Sequence, residues 1–187
     1  MTPEICRAYA RYNGWMNAKI YNTAALLSDE ERKRDRGAFF GSIHNVMNHL
    51  LVADRIWVGR LVGRNAEPGF IGPDGIKSLD QELASDFEEL RRQRDKTDAA
   101  IADWAGTVTS DALAGDLRMF RKGQWEERPL WWAVTQMFNH QTHHRGQIST
   151  LLFQAGHDPG ATDLFAMLIE EARSATSAAP LPCRGAR

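Results

Sequence analysis

The chain has 187 residues, of which 43% are apolar and 25% charged, so it is long enough for one domain with a full hydrophobic core and short for two. Its formal net charge of -1, without a dense block of Lys and Arg, argues against a nucleic-acid partner. Since no apolar run approaches the length of a membrane span and the first residues lack a secretory core, we expect no membrane partner and a cytoplasmic location.

The two cysteines, Cys6 and Cys183, lie at opposite ends of the sequence. They form no C-x-x-C pair, so we expect neither a disulfide framework nor a zinc site built from thiolates. We interpret them as a packing thiol and a tail thiol.

The N-terminal segment predicts a long amphipathic helix. Thr2 as the N-cap and Pro3 at the first helical position open it, and apolar residues at three- and four-residue steps continue to about Leu27. Ser28 and Glu31 then form a capping box that predicts a short helical turn.

A second long helix is predicted from about Ser42 to Val62, and Gly63 follows it as a stop signal. Residues 64–77 are rich in proline and glycine, so we expect a loop there.

A third helix is predicted behind the capping box of Ser78 and Gln81, ending before Gly106. Between Leu113 and Arg128 the helical period weakens, and we expect a short hairpin.

A fourth long helix is predicted between Pro129, as an N1 proline, and Gly156, as the glycine that ends it. A short last helix is expected over residues 162–172, and a loose tail over residues 173–187.

Four long amphipathic helices with little strand signal predict an all-α fold, an antiparallel four-helix bundle with a short hairpin before the last long helix. An irregular all-helical domain is the alternative. Facing helices of such a bundle can place ligands around a metal ion in the core.

The fourth helix carries two histidines, His140 and His144, on its apolar stripe. Positions i and i+4 lie one turn apart on the same face, so both imidazoles can point at one metal ion. A single buried histidine is usually a hydrogen-bonded core residue, but burying two such rings side by side favours a metal, which would satisfy one nitrogen of each.

A third protein ligand is needed for a tight site. His143 lies about 100° around the helix from His144 and should face away, and His157 follows a glycine in a turn, where we expect a surface residue. His44 and His49 both lie on the second helix. Periodicity does not separate these two, because that helix is apolar around much of its circumference.

Two segments resemble the DinB family: the residues from Asn48 to Trp57, with a His-x-x-x-x-Asp pattern, and the residues from Asn139 to Gln147, with the more specific motif H-x-x-x-H-R-G-Q. The resemblance implies a metal-binding four-helix bundle over residues 1–172. It further implies that the ligands are His49, His140 and His144.

A metal held by three histidines keeps an open coordination position. Zinc or nickel is favoured as the metal, with iron or copper as further candidates. The resemblance implies a metal-dependent enzyme of thiol-transferase or isomerase type, acting on a small molecule with a low-molecular-weight thiol, and it implies a homodimer. The alternatives are a non-enzymatic metal-binding or stress-response protein and, less favoured, a helical interaction module without metal.

Asp54 lies near the middle of the apolar stripe of the second helix, where a carboxylate needs a partner. It is about 140° around the helix from His49, so the two should not share one metal. We expect a structural salt bridge or a role in holding a ligand, with Arg145 as a candidate partner. Arg145 and Gln147 could equally be ordinary helix surface.

Overall fold

The structure is a computed structural model, and it describes residues 1–64 and 71–177. Over these residues the chain is mostly helical, with a small two-stranded sheet. In chain order the elements are α1 (Pro3–Ala24), α2 (Asp29–Lys33), α3 (Ile43–Leu61), α4 (Phe87–Thr107), α5 (Ser110–Ala114), β1 (Asp116–Arg121), β2 (Gln124–Pro129), α6 (Leu130–Gln154) and α7 (Leu164–Ser177).

The ends of the first two long helices follow the local signals in the sequence. Thr2 is the N-cap of α1, where its hydroxyl accepts a hydrogen bond from the backbone of Ile5 at 3.4 Å. Ser42 caps α3 in the same way, through the backbone N–H of Asn45.

The third long helix begins later than the capping box at Ser78 predicts. Asp86 is its N-cap, since the carboxylate accepts from the backbone of Glu89 at 2.8 Å. The side chain of Gln81 instead accepts from the backbone N–H of Lys77. Residues 78–86 are therefore an ordered non-helical segment, and the predicted start of this helix is wrong.

The four long helices pack in a ring, in which α1 and α3 each contact both α4 and α6. Neighbours α1 and α6 run in the same direction, since Tyr9 stacks on Phe138 and, about one turn further along α1 and two turns further along α6, Asn13 accepts a hydrogen bond from Arg145. The antiparallel arrangement predicted for the bundle therefore does not hold for this pair.

Helices α3 and α4 also run in the same direction, whereas the other two adjacent pairs are antiparallel. His44 near the start of α3 contacts Ala84 just before α4, and Asp54 further along α3 contacts Arg94 further along α4. Because α3 and α4 are parallel, the chain must return from the end of α3 to the start of α4, near the start of α3. Residues 62–86 make this connection. Part of this connection, residues 65–70, falls outside the described residues, as does that part of the predicted loop.

The predicted hairpin is present as β1 and β2, which pair antiparallel through a two-residue turn. Lys122 and Gly123 in this turn have φ of 49° and 80°, the signs that a type I′ turn requires. The fold is therefore not purely all-α, since the chain before α6 prefers a strand ladder to a helix.

Each helix of the ring contributes fully buried apolar side chains to one core, for example Met16, Met47, Leu90 and Ile148. Helix α7 covers one side of this core with Met167 and extends to Ser177, beyond the predicted end at residue 172. No helix in the described part of the chain is both long and apolar enough to cross a membrane. Cys6 is a buried free thiol, whereas Cys183 and the rest of the predicted tail lie outside the described residues.

Candidate metal centre

Three imidazole rings meet in the core between α3 and α6. The Nε2 atom of His49 lies 3.3 Å from Nε2 of His140 and 3.2 Å from Nε2 of His144, and the last two are 3.1 Å apart. The i, i+4 spacing on α6 thus brings both of its rings to one point, where α3 adds the third. Together these nitrogens could hold a metal ion.

The outer nitrogens of two of the rings are held by oxygen atoms. His49 Nδ1 is 2.7 Å from the carbonyl oxygen of Leu79, and His144 Nδ1 is 2.8 Å from Oε1 of Gln147. Because these oxygens can only accept, each Nδ1 donates its proton and each Nε2 carries a lone pair. Hydrogen bonds of this kind are those that orient histidine ligands of metals.

Burial keeps these rings neutral. It is the main cause that lowers the pKa of His140 and His144 to about 4, and it also lowers the pKa of His49. With neutral rings, the Nε2 lone pairs of His49 and His144 face each other at 3.2 Å without a proton between them. Such a contact is repulsive by itself, and a cation bound by both nitrogens removes the repulsion.

The three Nε2 atoms form a triangle, here called the histidine triangle, whose size fits a first-row metal. Zinc–nitrogen bonds of about 2.0–2.1 Å in tetrahedral geometry place two ligand nitrogens about 3.3 Å apart, and the three Nε2 separations here are 3.1–3.3 Å. A donor set of three imidazoles suits zinc, nickel, iron or copper.

Asn48 explains why the Leu79 carbonyl is available to His49. Its Oδ1 accepts the backbone N–H groups of Leu83, at 2.8 Å, and Ala84, at 3.1 Å, and its Nδ2 donates to the Ala84 carbonyl at 3.1 Å. In a helix starting at Ser78, the N–H of Leu83 would bind the carbonyl of Leu79. By holding this segment out of the helix, Asn48 leaves that carbonyl free.

Phe40, in the loop before α3, covers part of the triangle. Its ring stacks on His49 with centroids 4.0 Å apart and planes at 21°, and it meets His144 edge-on at 5.7 Å. The apolar ring shields this side of the histidines from water.

A cavity of about 750 Å³ opens beside His140, which is one of its lining residues. The apolar part of the lining includes Ile56, Trp57, Leu79 and Phe120. A volume of this size accommodates a small organic molecule.

The other described histidines do not join the triangle. His44 is fully buried, but its Nε2 contacts the carbonyl oxygen of Ala84 at 3.0 Å and a carboxylate oxygen of Glu82 at 3.2 Å. His143 is exposed, as the helical angle predicts, and His157 lies half-buried after α6. Of the two candidates on α3, the structure therefore brings His49 to the pair.

Asp54 forms a buried salt bridge. This is the first of the two roles that the sequence predicted for it. Arg94 of α4 reaches its Oδ2 at 2.5 Å and Oδ1 of Asp98 at 2.8 Å. Burial alone would lower the pKa of Arg94, but the two carboxylates raise it, so the guanidinium stays charged. Burial raises the pKa of Asp98.

Arg145 is not the partner of Asp54, and that prediction is wrong. Its guanidinium is buried, donates to Oδ1 of Asn13 and lies 5.0 Å from the ring centroid of Tyr12. Nor is Arg145 helix surface, because α1 packs against this face of α6.

The sequence predicted no role for Asn48 or Phe40 near the histidines, and none for Arg94 as the partner of Asp54. Asn48 stands directly before His49 in the motif that carries the resemblance, and this position was the available signal. Phe40 and Arg94 act across elements, so no local pattern marks them.

Comparison with known proteins finds a matching family and a similar sequence. The sequence profile of the DinB family matches residues 2–174. The chain is 24% identical over 156 residues to the protein DinB of Bacillus subtilis (strain 168), which covers 81% of this chain and 87% of that protein.

A solved structure has a similar fold. It is a DinB-like protein from Bacillus cereus ATCC 10987, with a TM-score of 0.58 and 17% sequence identity, and the match covers 82% of this chain and 94% of that one. At this identity the likeness concerns the fold alone.

Proposed function

Since the chain belongs to the DinB family, we propose that it binds one divalent metal ion through His49, His140 and His144 and acts as a metal-dependent enzyme of thiol-transferase or isomerase type. The observation that carries the proposal is the set of three Nε2 atoms 3.1–3.3 Å apart, two of them with their protons held on the opposite nitrogen.

A metal held by three imidazoles, with zinc or nickel favoured, would supply a Lewis acid with room for an exogenous ligand, so that a low-molecular-weight thiol would lose its proton more readily. The protein's own residues do the rest of the work. Leu79 and Gln147 hold the rings of His49 and His144 in one tautomer, and Phe40 keeps water from one side of these two rings. The cavity beside His140 gives a small-molecule substrate a place next to the site.

A non-enzymatic metal-binding or stress-response protein is the second candidate. The stacking of Phe40 on His49 favours it, because an apolar cover suits a site that only binds metal and stabilises the fold. The cavity beside His140 favours the enzyme.

The same proposal includes the architecture around the site. We infer that the ring of α1, α3, α4 and α6 is a four-helix bundle within a single metal-binding unit of residues 1–172. A homodimer, a cytoplasmic location and the lack of a nucleic-acid partner stay predictions.

Metal analysis of the purified protein is the first test. We expect one equivalent of zinc or nickel per chain, with iron and copper as the other outcomes compatible with the donor set. Protein that binds none of the four metals after incubation with each would refute the proposed metal site.

A spectroscopic titration separates the two candidate functions. Cobalt-substituted protein should change its visible spectrum when a small thiol is added, because the thiolate enters the coordination sphere. The His144→Ala variant should show no such change. A spectrum that does not change at saturating thiol would contradict the thiol-dependent enzyme and favour the non-enzymatic function.

A further inference from the structure

The cavity beside His140 has a strongly biased set of charges. Its described lining contains the cationic side chains of Arg60, Arg121 and Lys122 and no aspartate or glutamate. These three cations come from the last turn of α3, the end of β1 and the hairpin turn, so the helix and the hairpin both place positive charge on one cavity.

Arg60 is held where its charge is poorly solvated. Its guanidinium lies 4.8 Å from the ring centroid of Trp57, and within the described ranges it has no salt bridge. Burial, and then the positive charge of Arg121, lower its pKa to about 10, against the opposing influence of Glu126. The group is thus still protonated at neutral pH. An anion beside it would offset both the loss of solvation and the repulsion by Arg121.

Glu126 does not neutralise this set of cations. One of its oxygens is 3.7 Å from Arg121 and the other is 3.2 Å from Arg128, a fourth positive group. One carboxylate is therefore shared between two arginines, and Arg60 and Lys122 add to the excess positive charge.

Lys122 occupies a turn position that usually takes another residue. With φ of 49° it is the first residue of the type I′ turn, where asparagine, aspartate or glycine is preferred. At this φ the Cβ atom of a lysine is sterically crowded by its own backbone, so the turn is less favourable than it would be with glycine or asparagine. The position thus carries a cation in spite of a local cost, and asparagine can replace it without disturbing the turn.

We propose that this cavity binds an organic anion with an apolar body, such as an aromatic or aliphatic carboxylate. Its charged group lies against Arg60, Arg121 and Lys122, and its apolar body lies against Ile56, Trp57, Leu79 and Phe120. Because His140 lines the same cavity, the bound molecule lies beside the histidine triangle. That the anion is the substrate of an enzyme rests on the proposed function above. That the cavity binds an anion does not.

Two fluorescent probes of similar shape test the charge requirement. The anion 1-anilinonaphthalene-8-sulfonate should bind the full chain about tenfold more tightly than the neutral N-phenyl-1-naphthylamine. Arg60→Gln, Arg121→Gln and Lys122→Asn should each weaken binding of the anion by roughly 3- to 10-fold and leave the neutral probe unchanged. Arg118→Gln is the matched control, because Arg118 is a cation of the same strand β1 that stacks over Trp125 and is not among the residues lining the cavity.

Equal affinity for the two probes, or anion binding that is unaffected by all three variants, would overturn the inference. Thermal melts accompany each variant, and Lys122→Asn should be at least as stable as the wild type, so it keeps the test valid if Arg60→Gln fails to fold.

Measuring both probes with zinc-loaded and chelator-treated protein separates this inference from the proposed function. Charge-dependent binding that persists in chelator-treated protein supports the anion site even if the cobalt–thiol titration fails. Loss of charge dependence with an intact thiol response refutes the anion site alone.

Discussion

Two buried polar clusters lie within the same ring of helices, and they differ in how their groups are satisfied. In one, Arg94 lies between the carboxylates of Asp54 and Asp98, so groups of opposite charge contact one another within the protein. In the other, His49 and its two partners on α6 present like groups to one another. A buried cluster of complementary groups stabilises itself, whereas a cluster of converging lone pairs needs a ligand from outside.

The largest expected effect is on stability, through the cluster of Arg94, Asp54 and Asp98. Arg94→Met should lower the free energy of unfolding by about 3–5 kcal/mol, because it leaves two buried carboxylates without a cation. Urea denaturation measures this. Arg92→Met is the control, since its pair with Glu89 is exposed and should change stability by less than about 1 kcal/mol. An equally small effect at Arg94 would contradict the role of the buried pair.

The histidine cluster should respond in metal affinity. His49→Ala, His140→Ala and His144→Ala should each weaken metal binding by about 100-fold or more, because two nitrogens hold a first-row metal far less tightly than three. Competition against a chromophoric chelator measures the affinity. His143→Ala, on the same helix and exposed, should bind as the wild type does. Equal loss from this control would show that the ligands are misassigned.

A smaller effect is expected from the residue that frees the Leu79 carbonyl. Asn48→Ala should weaken metal binding by about tenfold, since His49 loses the acceptor that orients its ring. The same competition assay measures it, with Asn45→Ala, exposed on the same helix, as the control. Unchanged affinity in Asn48→Ala would show that the segment of residues 78–86 holds its shape without this amide.

The smallest effect is a pH dependence of the metal-free protein. The pKa of His140 and His144 is lowered to about 4 in the folded state and lies near about 6.5 in the unfolded chain. A lowered folded-state pKa gives stability that is present above about pH 6.5 and is lost as the pH falls towards 4. The free energy of unfolding in the presence of a chelator should therefore fall by on the order of 1 kcal/mol between pH 7 and pH 6.

The double variant His140→Ala/His144→Ala isolates this contribution. Its stability should depend less on pH over the same interval, because the groups with the lowered pKa are gone. The same slope in both proteins would assign the pH dependence to other groups.

Much of the helical content could be predicted from local signals. Thr2 and Ser42 cap their helices through contacts within one turn, and a spacing of four residues places His140 and His144 on one face of α6 whatever surrounds it. The capping box at Ser78 predicted the wrong start for α4, because the side chain of Asn48, distant in sequence, accepts the backbone N–H of Leu83. A local pattern cannot include such a competitor.

By itself, the sequence determined the long helices, the hairpin and the histidine pair, since each depends on residues within a few positions of one another. Through its motifs it also indicated the family, and the family implied His49 as the third ligand. Only the tertiary structure decided which helices run parallel, that Arg94 rather than Arg145 pairs with Asp54, and that a cationic cavity lies beside His140. These features depend on contacts between distant segments, and such contacts exist only once the helices have packed.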